Sequence, residues 1–410
     1  MNSLNINQEN LPKPFSGKIF FFLGISNRWG TKERTILKDC LICRDAGATV
    51  YLYTYRDSTI DIKAKKAGLK CFYHHGKIQT KFFNWHKLRK LSNLLKELNV
   101  NVVHVYDIKI LWPLCFHMRS MPLVPLVYTL SSELKSYYRG VFYKPLSERV
   151  DQVLLPMSEM VENVWGHMGI PPRKIHFVGM SMKTNLGEKK PTPPFKFDDN
   201  RYYIGTNLNG IETNTHFLDS IFHALRVMIE KKLDDKTYTF AICNERHWSE
   251  CLLTDELRRQ VKDWGLEENV AFVNSPDMSH YQEHIDLWFG LQRREDLEDY
   301  AIQALLAGKP VCVPRTAFSM EVLSGSGVLG ETYKIGDSRE IREKCEKILR
   351  NLDYYQKSIN NANQALVQKY GEEVYKESLL KIYENLLLRR KRLWTARQKR
   401  KIRHFNPLNK

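Results

Sequence analysis

The chain has 410 residues, 43% of them hydrophobic, enough for two domains that bury their own cores without disulfides or structural metals. Its formal net charge of +17 draws it toward anions, whether nucleic acid, lipid headgroups or phosphorylated substrates, without choosing among them. No apolar run is long enough to span a membrane, residues 1–17 are polar with no apolar signal core, and the eight cysteines show no repeated spacing, so the composition excludes a membrane-spanning protein and a disulfide-stapled scaffold and the chain reads as cytoplasmic.

Residues 18–24 are an aromatic and aliphatic run, the length of one buried strand. A loop from Gly24 to Gly30 leads into a helix over 31–46 and a second strand over 47–54. Glycines permit close backbone approach and a helix N-terminus attracts anions, so this loop reads either as a ligand-facing segment or as a tight strand-to-helix turn. Cys40 and Cys43 form a lone C-x-x-C inside that helical pattern, with no second half for a zinc site, and no metal is expected. A helix over 60–68 and a strand over 69–75 follow. Residues 81–91 mix aromatic and cationic residues at helical spacing, which suits a helix packed on the sheet or one lying on an anionic bilayer.

Residues 102–106 form a strand ending at Asp107. His104 lies inside it and reads as a packed core histidine, whereas Asp107 stands at the strand's end, where a site residue belongs. The strand over 125–133 ends in Ser131, Ser132 and Glu133. Strand 150–158 and helix 159–169 follow, with Ser158 as N-cap, and then strand 171–179. Residues 187–197, rich in proline and charge, read as a linker.

The second half repeats the alternation. Strands are expected at 202–206 (holding Gly205 and Thr206), 237–243, 270–273, 285–291 and 310–314, with helices at 217–232, 253–264 and 300–307. The acidic loop 295–299 suits the positive end of the helix it opens, and Gly308 closes that helix as a C-cap. Helices are expected at 338–352, 354–369 and on to 388, before a basic tail, 389–410. Sustained alternation implies parallel sheets, whose ligands lie outside the carboxyl ends of the strands. The loops holding Glu295 and Arg315 to Glu321 are both there. Glu295 and Gln303 are eight residues apart, bracketing a loop and two helical turns.

The stretch from Asp286 to Val311 resembles the donor-site signature of family 4 glycosyltransferases. That signature is an Asp before an apolar strand, then Pro-Ser-Arg, then Glu-x7-Glu running into Ala-Met-Ala-x-Gly-x-Pro-Val. Asp286, Arg293, Glu295, Ala304, Ala307, Gly308, Pro310 and Val311 fall in register, and Glu321 matches the Glu of a Gly-Gly-x-x-Glu loop. Residues 30–34 resemble the segment that opens the family's first helix. Four positions depart from the pattern. Gln303 stands for the second Glu, Ala317 to Ser319 replace the double glycine, Leu130 stands where a His is usual, and Thr206 and Ile211 stand where an Arg and a Lys bind the diphosphate.

The resemblance implies an α/β fold of GT-B architecture, two doubly wound Rossmann-like domains with a cleft between them and a C-terminal helix crossing back. The expected layout is a polar segment 1–17, an acceptor-side domain 18–186, a linker 187–197, a nucleotide-sugar-side domain 198–372, a crossover helix 373–388 and the tail 389–410. It implies a hexosyltransferase-like enzyme moving a sugar from a nucleotide-diphosphate donor to an envelope polysaccharide or lipid-linked acceptor, with no other cofactor. Glu295 and Asp107 would serve catalysis. Gly205, Thr206, Arg293, Arg294, Gln303, Arg315 and Glu321 would bind the donor, and Gly24 and Gly30 would shape the N-terminal loop. Ser131, Ser132 and Glu133 would face the acceptor. Helix 81–91 and the tail would meet an anionic membrane on its inner face. The departures leave open a non-catalytic sugar- or nucleotide-binding or assembly protein, and the tail alone a salt-sensitive contact with nucleic acid.

Overall fold

The computed structural model describes residues 13–27, 29–74, 85–132, 134, 136–182, 198–208, 218–244, 248, 253–274, 282, 284–291, 299–325 and 327–405. The chain divides into two compact units, Met1–Val178 with Lys376–Lys410, and Gly179–Tyr375. The expected linker, 187–197, lies outside the described residues.

The first unit alternates strand and helix. Its elements are β1 Ile19–Leu23, α1 Thr31–Asp45, β2 Thr49–Thr54, α2 Thr59–Lys66, β3 Lys70–Tyr73, α3 Trp85–Glu97, β4 Val102–Val105, α4 Ile108–His117, β5 Leu126–Thr129, α5 Lys144–Arg149, β6 Gln152–Leu155, α6 Met160–Met168 and β7 Ile175–Phe177. The strands form one parallel sheet in the order β3-β2-β1-β4-β5-β6-β7. Phe20, Phe21 and Phe22 are consecutive and all fully buried. A strand takes such a run only where helices cover both faces of its sheet, so β1 is central. The sequence reading had no helix at 108–117, where Pro113 interrupts the pattern inside α4. At α6 the N-cap position is Glu159 rather than Ser158, with no side-chain capping bond.

In the second unit the elements are β8 Arg201–Asn207, α7 Leu218–Lys231, β9 Thr237–Asn244, α8 Thr254–Asp263, β10 Val270–Asn274, β11 Leu287–Phe289, α9 Asp299–Leu306, β12 Val311–Pro314, α10 Ala317–Leu323, β13 Gly330–Tyr333, α11 Ser338–Arg350 and α12 Leu352–Tyr370. Its sheet is also parallel, in the order β10-β9-β8-β11-β12-β13. In each sheet the strand order reverses direction beside the first strand of the unit, at β1/β4 and at β8/β11. These are the switch points where open α/β sheets leave a crevice for ligands.

A final helix, α13 Glu372–Phe405, joins the first unit from Lys376 onward. Leu379, Tyr383 and Leu386 lie on one stripe of it and are buried. The Tyr383 ring packs edge-on against Phe20 at 5.1 Å, and Phe15 lies 6.4 Å away. One turn further on, the same stripe brings Arg390 to the Asp151 carboxylate and the Pro122 carbonyl. The basic tail expected from Arg389 is helical to Phe405, and of its first basic residues Arg390 is packed while Arg389, Lys391 and Arg392 are exposed.

Candidate active site

At the carboxyl edge of the first sheet, Gly24 of the 24–30 loop has a packing reason. A Cβ on Gly24 would lie 2.5 Å from Ile36 Cδ1, so glycine lets α1 close down on β1. Gly30 is the N-cap of α1, and its N–H donates to Glu33 Oε2 at 2.9 Å. Glu33 is buried, and Lys32 approaches its other oxygen at 3.5 Å. The helix mouth that was open to a phosphate thus already holds a carboxylate. Glu33→Ala should cost about 1 kcal/mol of stability by losing this cap, read as a lower denaturation midpoint in urea.

Asp107 is the N-cap of α4, accepting from the Lys109 N–H at 2.8 Å. Its carboxylate is also among the charges acting on Tyr128 and Tyr138, whose hydroxyls are pushed up from the usual tyrosine range, first by burial. Ser131 and Ser132 are half-buried just beyond β5, and Leu130 is buried. Glu133 lies outside the described residues.

Behind this edge is a polar network that the sequence reading did not see. His104 is fully buried, as expected of a core histidine. Its Nδ1 lies 2.6 Å from the Tyr383 hydroxyl and 3.0 Å from the Tyr106 hydroxyl, and its Nε2 lies 2.7 Å from Thr129 Oγ1. Tyr106 donates to the buried carboxylate of Asp39. With that proton committed, Tyr383 is left to donate to Nδ1, and Nε2–H faces Thr129. Burial pushes His104 down to about 3, so it is neutral at ordinary pH. A sequence signal existed, in polar residues one alternation apart on one strand (His104, Tyr106), but their partners lie far away in the chain.

In the second unit, Gly205 pairs with Trp288 and Ala241 inside the sheet, and Thr206 is fully buried beside Ile242. Thr206 Oγ1 has no hydrogen-bond partner among the described residues. Both positions belong to the strand core, so neither presents a cation or an exposed hydroxyl at the sheet edge, where the resemblance placed donor-binding residues. Ile211, Arg293, Arg294 and Glu295 lie outside the described residues.

Glu321, on α10, is buried, and its Oε1 accepts from Lys369 Nζ of α12 at 2.8 Å. Burial lowers Lys369, but Glu321 and Tyr370 together outweigh it and hold the ammonium above its usual range. Arg315 turns the other way. Its guanidinium is about half exposed and pairs with Glu340 Oε1 at 2.7 Å. Arg315 and Glu321 are thus held by different partners, Glu340 and Lys369. Gln303 is half-buried on α9. Asp286 sits at the opposite end of β11, where its carboxylate accepts from the Tyr203 N–H at 2.8 Å and ties β11 to β8.

The same edge carries a feature missed in the sequence. β8, β9 and β10 are neighbours, and each ends in an asparagine: Asn207, Asn244 and Asn274. Asn274 Nδ2 donates to the Asn244 carbonyl at 3.2 Å. Among the described residues no group of three His, Cys, Asp or Glu could hold a metal.

Residues 43–180 match the profile of Glycosyltransferase Family 4. Over those residues the chain is similar to family 4 glycosyltransferases. No curated protein matches it in sequence. In fold the chain is similar to a glycosyltransferase from Rickettsia africae, with a TM-score of 0.73 at 12% identity, covering 90% of this chain and 98% of that one. It is similar to Anabaena Alr3699/HepE in complex with UDP and glucose, with a TM-score of 0.68 at 15% identity over 90% and 100% of the two chains. It is also similar to the lipopolysaccharide outer core galactosyltransferase WaaB, with a TM-score of 0.60 at 13% identity over 89% and 98%. Identities this low speak for a shared fold, so the two doubly wound units are of GT-B type. The family match falls on the first unit, while the donor-site resemblance of the sequence falls on the second.

Proposed function

We propose that the protein transfers a sugar from a nucleoside diphosphate sugar, a UDP-sugar first among the candidates, to a lipid-linked or envelope polysaccharide acceptor. The observation that carries this reading is the family 4 match over the first unit, joined to a fold shared with proteins bound to UDP or acting on lipopolysaccharide. In this reading the donor lies at the carboxyl edge of the second sheet. Glu321 accepts hydrogen bonds from ribose hydroxyls and is kept in place by Lys369. Gln303 binds without acting as a base, because an amide cannot ionise. Glu295 meets the sugar hydroxyls, and Arg293 or Arg294 faces the diphosphate, since Arg315 is occupied by Glu340. The leaving diphosphate is stabilised electrostatically by these fixed cations. An acceptor of this class places the protein in the cytoplasm against the inner face of an anionic membrane, with residues 81–91 and the basic tail as the first contacts.

A second reading, a sugar- or nucleotide-binding protein without turnover, is favoured by one observation. Thr206 offers no charge where the family uses an arginine, and Arg315 does not replace it. One experiment separates the readings and tests the site. UDP and other nucleoside diphosphates are added to the pure protein, and the melting temperature is followed. At a ligand concentration about 100 times Kd the gain is about 2.7 kcal/mol, and Glu321→Ala should weaken binding about tenfold or more. A shift with UDP and release of UDP from a UDP-sugar in the presence of acceptor supports transfer. A shift without turnover supports the second reading, and no shift with any nucleotide in a folded protein sinks both.

A further inference from the structure

We propose that the surface formed by residues 136–144 is a lipid-docking wedge that seats the first unit on an anionic bilayer. It lends purpose to the reading of a lipid-linked acceptor, but its evidence is independent of the donor site.

The segment follows β5 and precedes α5. Tyr137, Val141 and Phe142 are 72%, 87% and 74% exposed, and Trp165 of α6, beside them, is 54% exposed. Large apolar side chains standing this far into water are costly unless something covers them, and clustered ones mark an interaction surface. Their exposure is not the result of a loose loop. Trp112 Nε1 of α4 donates to the Phe142 carbonyl at 2.8 Å, and the Tyr138 N–H donates to the His167 carbonyl at 2.6 Å. Tyr137 stacks on His167 with centroids 4.5 Å apart, and Arg139 donates to the Trp165 carbonyl. Gly140, at φ 93°, makes the turn that puts Val141 and Phe142 at the tip. The backbone is fixed from both sides while the apolar side chains point outward.

Charge selects the occupant. Arg139 and Lys144 are exposed, and residues 136–144 contain no acid. Lys144 has only a 3.5 Å approach to the exposed Glu148. Aromatic rings beside cations suit the boundary between headgroups and acyl chains, with the rings at the interface and the cations on anionic lipid. A sugar acceptor would stack on rings but gains nothing from an aliphatic tip such as Val141.

The test sediments the full-length protein with vesicles of phosphatidylcholine alone and of phosphatidylcholine mixed with phosphatidylglycerol. The protein should bind the anionic vesicles, less as salt rises. Combining Val141→Ser with Phe142→Ser leaves the charge unchanged and should weaken that binding about tenfold or more, the scale of one apolar side chain kept from lipid. The melting temperature and its response to UDP should stay as in the parent, and Val141→Leu with Phe142→Leu should bind as the parent does. A parent that ignores both vesicles overturns the proposal, and so does a double serine variant that binds as well as the parent, including the case where only removal of residues 389–410 abolishes binding. Loss of a soluble oligosaccharide's binding in the serine variant, with vesicle binding intact, also overturns it. A missing UDP shift in the parent strikes the donor reading and leaves the vesicle result standing.

Discussion

Acidification from pH 6.5 to about 3 should remove ~5 kcal/mol of stability from the first unit through His104 alone, since burial pushes this group from 6.5 down to about 3. The sign follows from proton counting. Below pH 6.5 the unfolded chain binds a proton on this histidine, and the folded chain, with the ring enclosed among Tyr383, Tyr106 and Thr129, does not. Stability is fully present above the unfolded value and falls by about 1.4 kcal/mol per pH unit until the folded value is reached. Asp61 adds to this loss, and Glu331 to that of the second unit, because burial is outweighed by Lys65 and the Asp57 N–H acting together on Asp61 and by Lys344, Lys347 and Tyr355 together on Glu331, which hold both below the usual carboxylate range. Comparing the parent with His104→Gln isolates the histidine. Hydrogen exchange of β4 amides, measured at several pH values, should show a slope shallower by about 1.4 kcal/mol per unit in the variant. Equal slopes would sink the assignment.

Arg149→Met should destabilise the first unit by about 3–5 kcal/mol, the cost of breaking a buried ion pair from one side. Arg149 is buried, and its Nη1 donates to Asp151 Oδ2 at 2.9 Å. Its other nitrogens donate to the carbonyls of Met118, Met121 and Val124, which close the turn between α4 and β5. Methionine fills the volume but leaves three buried carbonyls and a carboxylate short of a donor. Asp151 keeps Arg390 and the Leu126 N–H. Adding Arg390→Met should therefore cost more than the sum of the two single changes, because Asp151 then loses its last cation. Thermal or urea denaturation of the three variants measures this, and a cost under about 1 kcal/mol for Arg149→Met would contradict it.

The alternation of strand and helix was legible in the sequence because both sheets are parallel and covered, so each strand is a continuous apolar run, as in the Phe20 to Phe22 triplet. α4 was not legible, since Pro113 sits where a helix interior would not invite it. The end of α13 was hidden by its charge. A run such as Arg389 to Arg392 resembles a solvated tail, and only the stripe from Tyr383 to Arg390 shows why it stays folded against Asp151. At the candidate site, motif register found the loops but not the side-chain directions. Arg315 and Glu321 are six residues apart, yet one pairs with Glu340 of α11 and the other with Lys369 of α12. Those partners are set by which helix packs beside each loop, a tertiary fact that spacing does not carry. Gly24 is explained by the close approach of Ile36, whereas the backbone and surroundings of Gly30 would admit another residue.

The first unit is built from both ends of the chain, whereas the second is continuous from Gly179 to Tyr375. During synthesis the second unit is complete in sequence before Lys376 has been added, and it can fold on emergence. The first must wait. Its sheet is made early, but Phe15, Phe20 and His104 lack their partner until Tyr383 has been made. Between the synthesis of Tyr375 and that of Tyr383 the nascent chain therefore carries a second unit complete in sequence and a first unit still half closed. A premature stop just before the last helix would leave a protein with one sound unit and one that never closes.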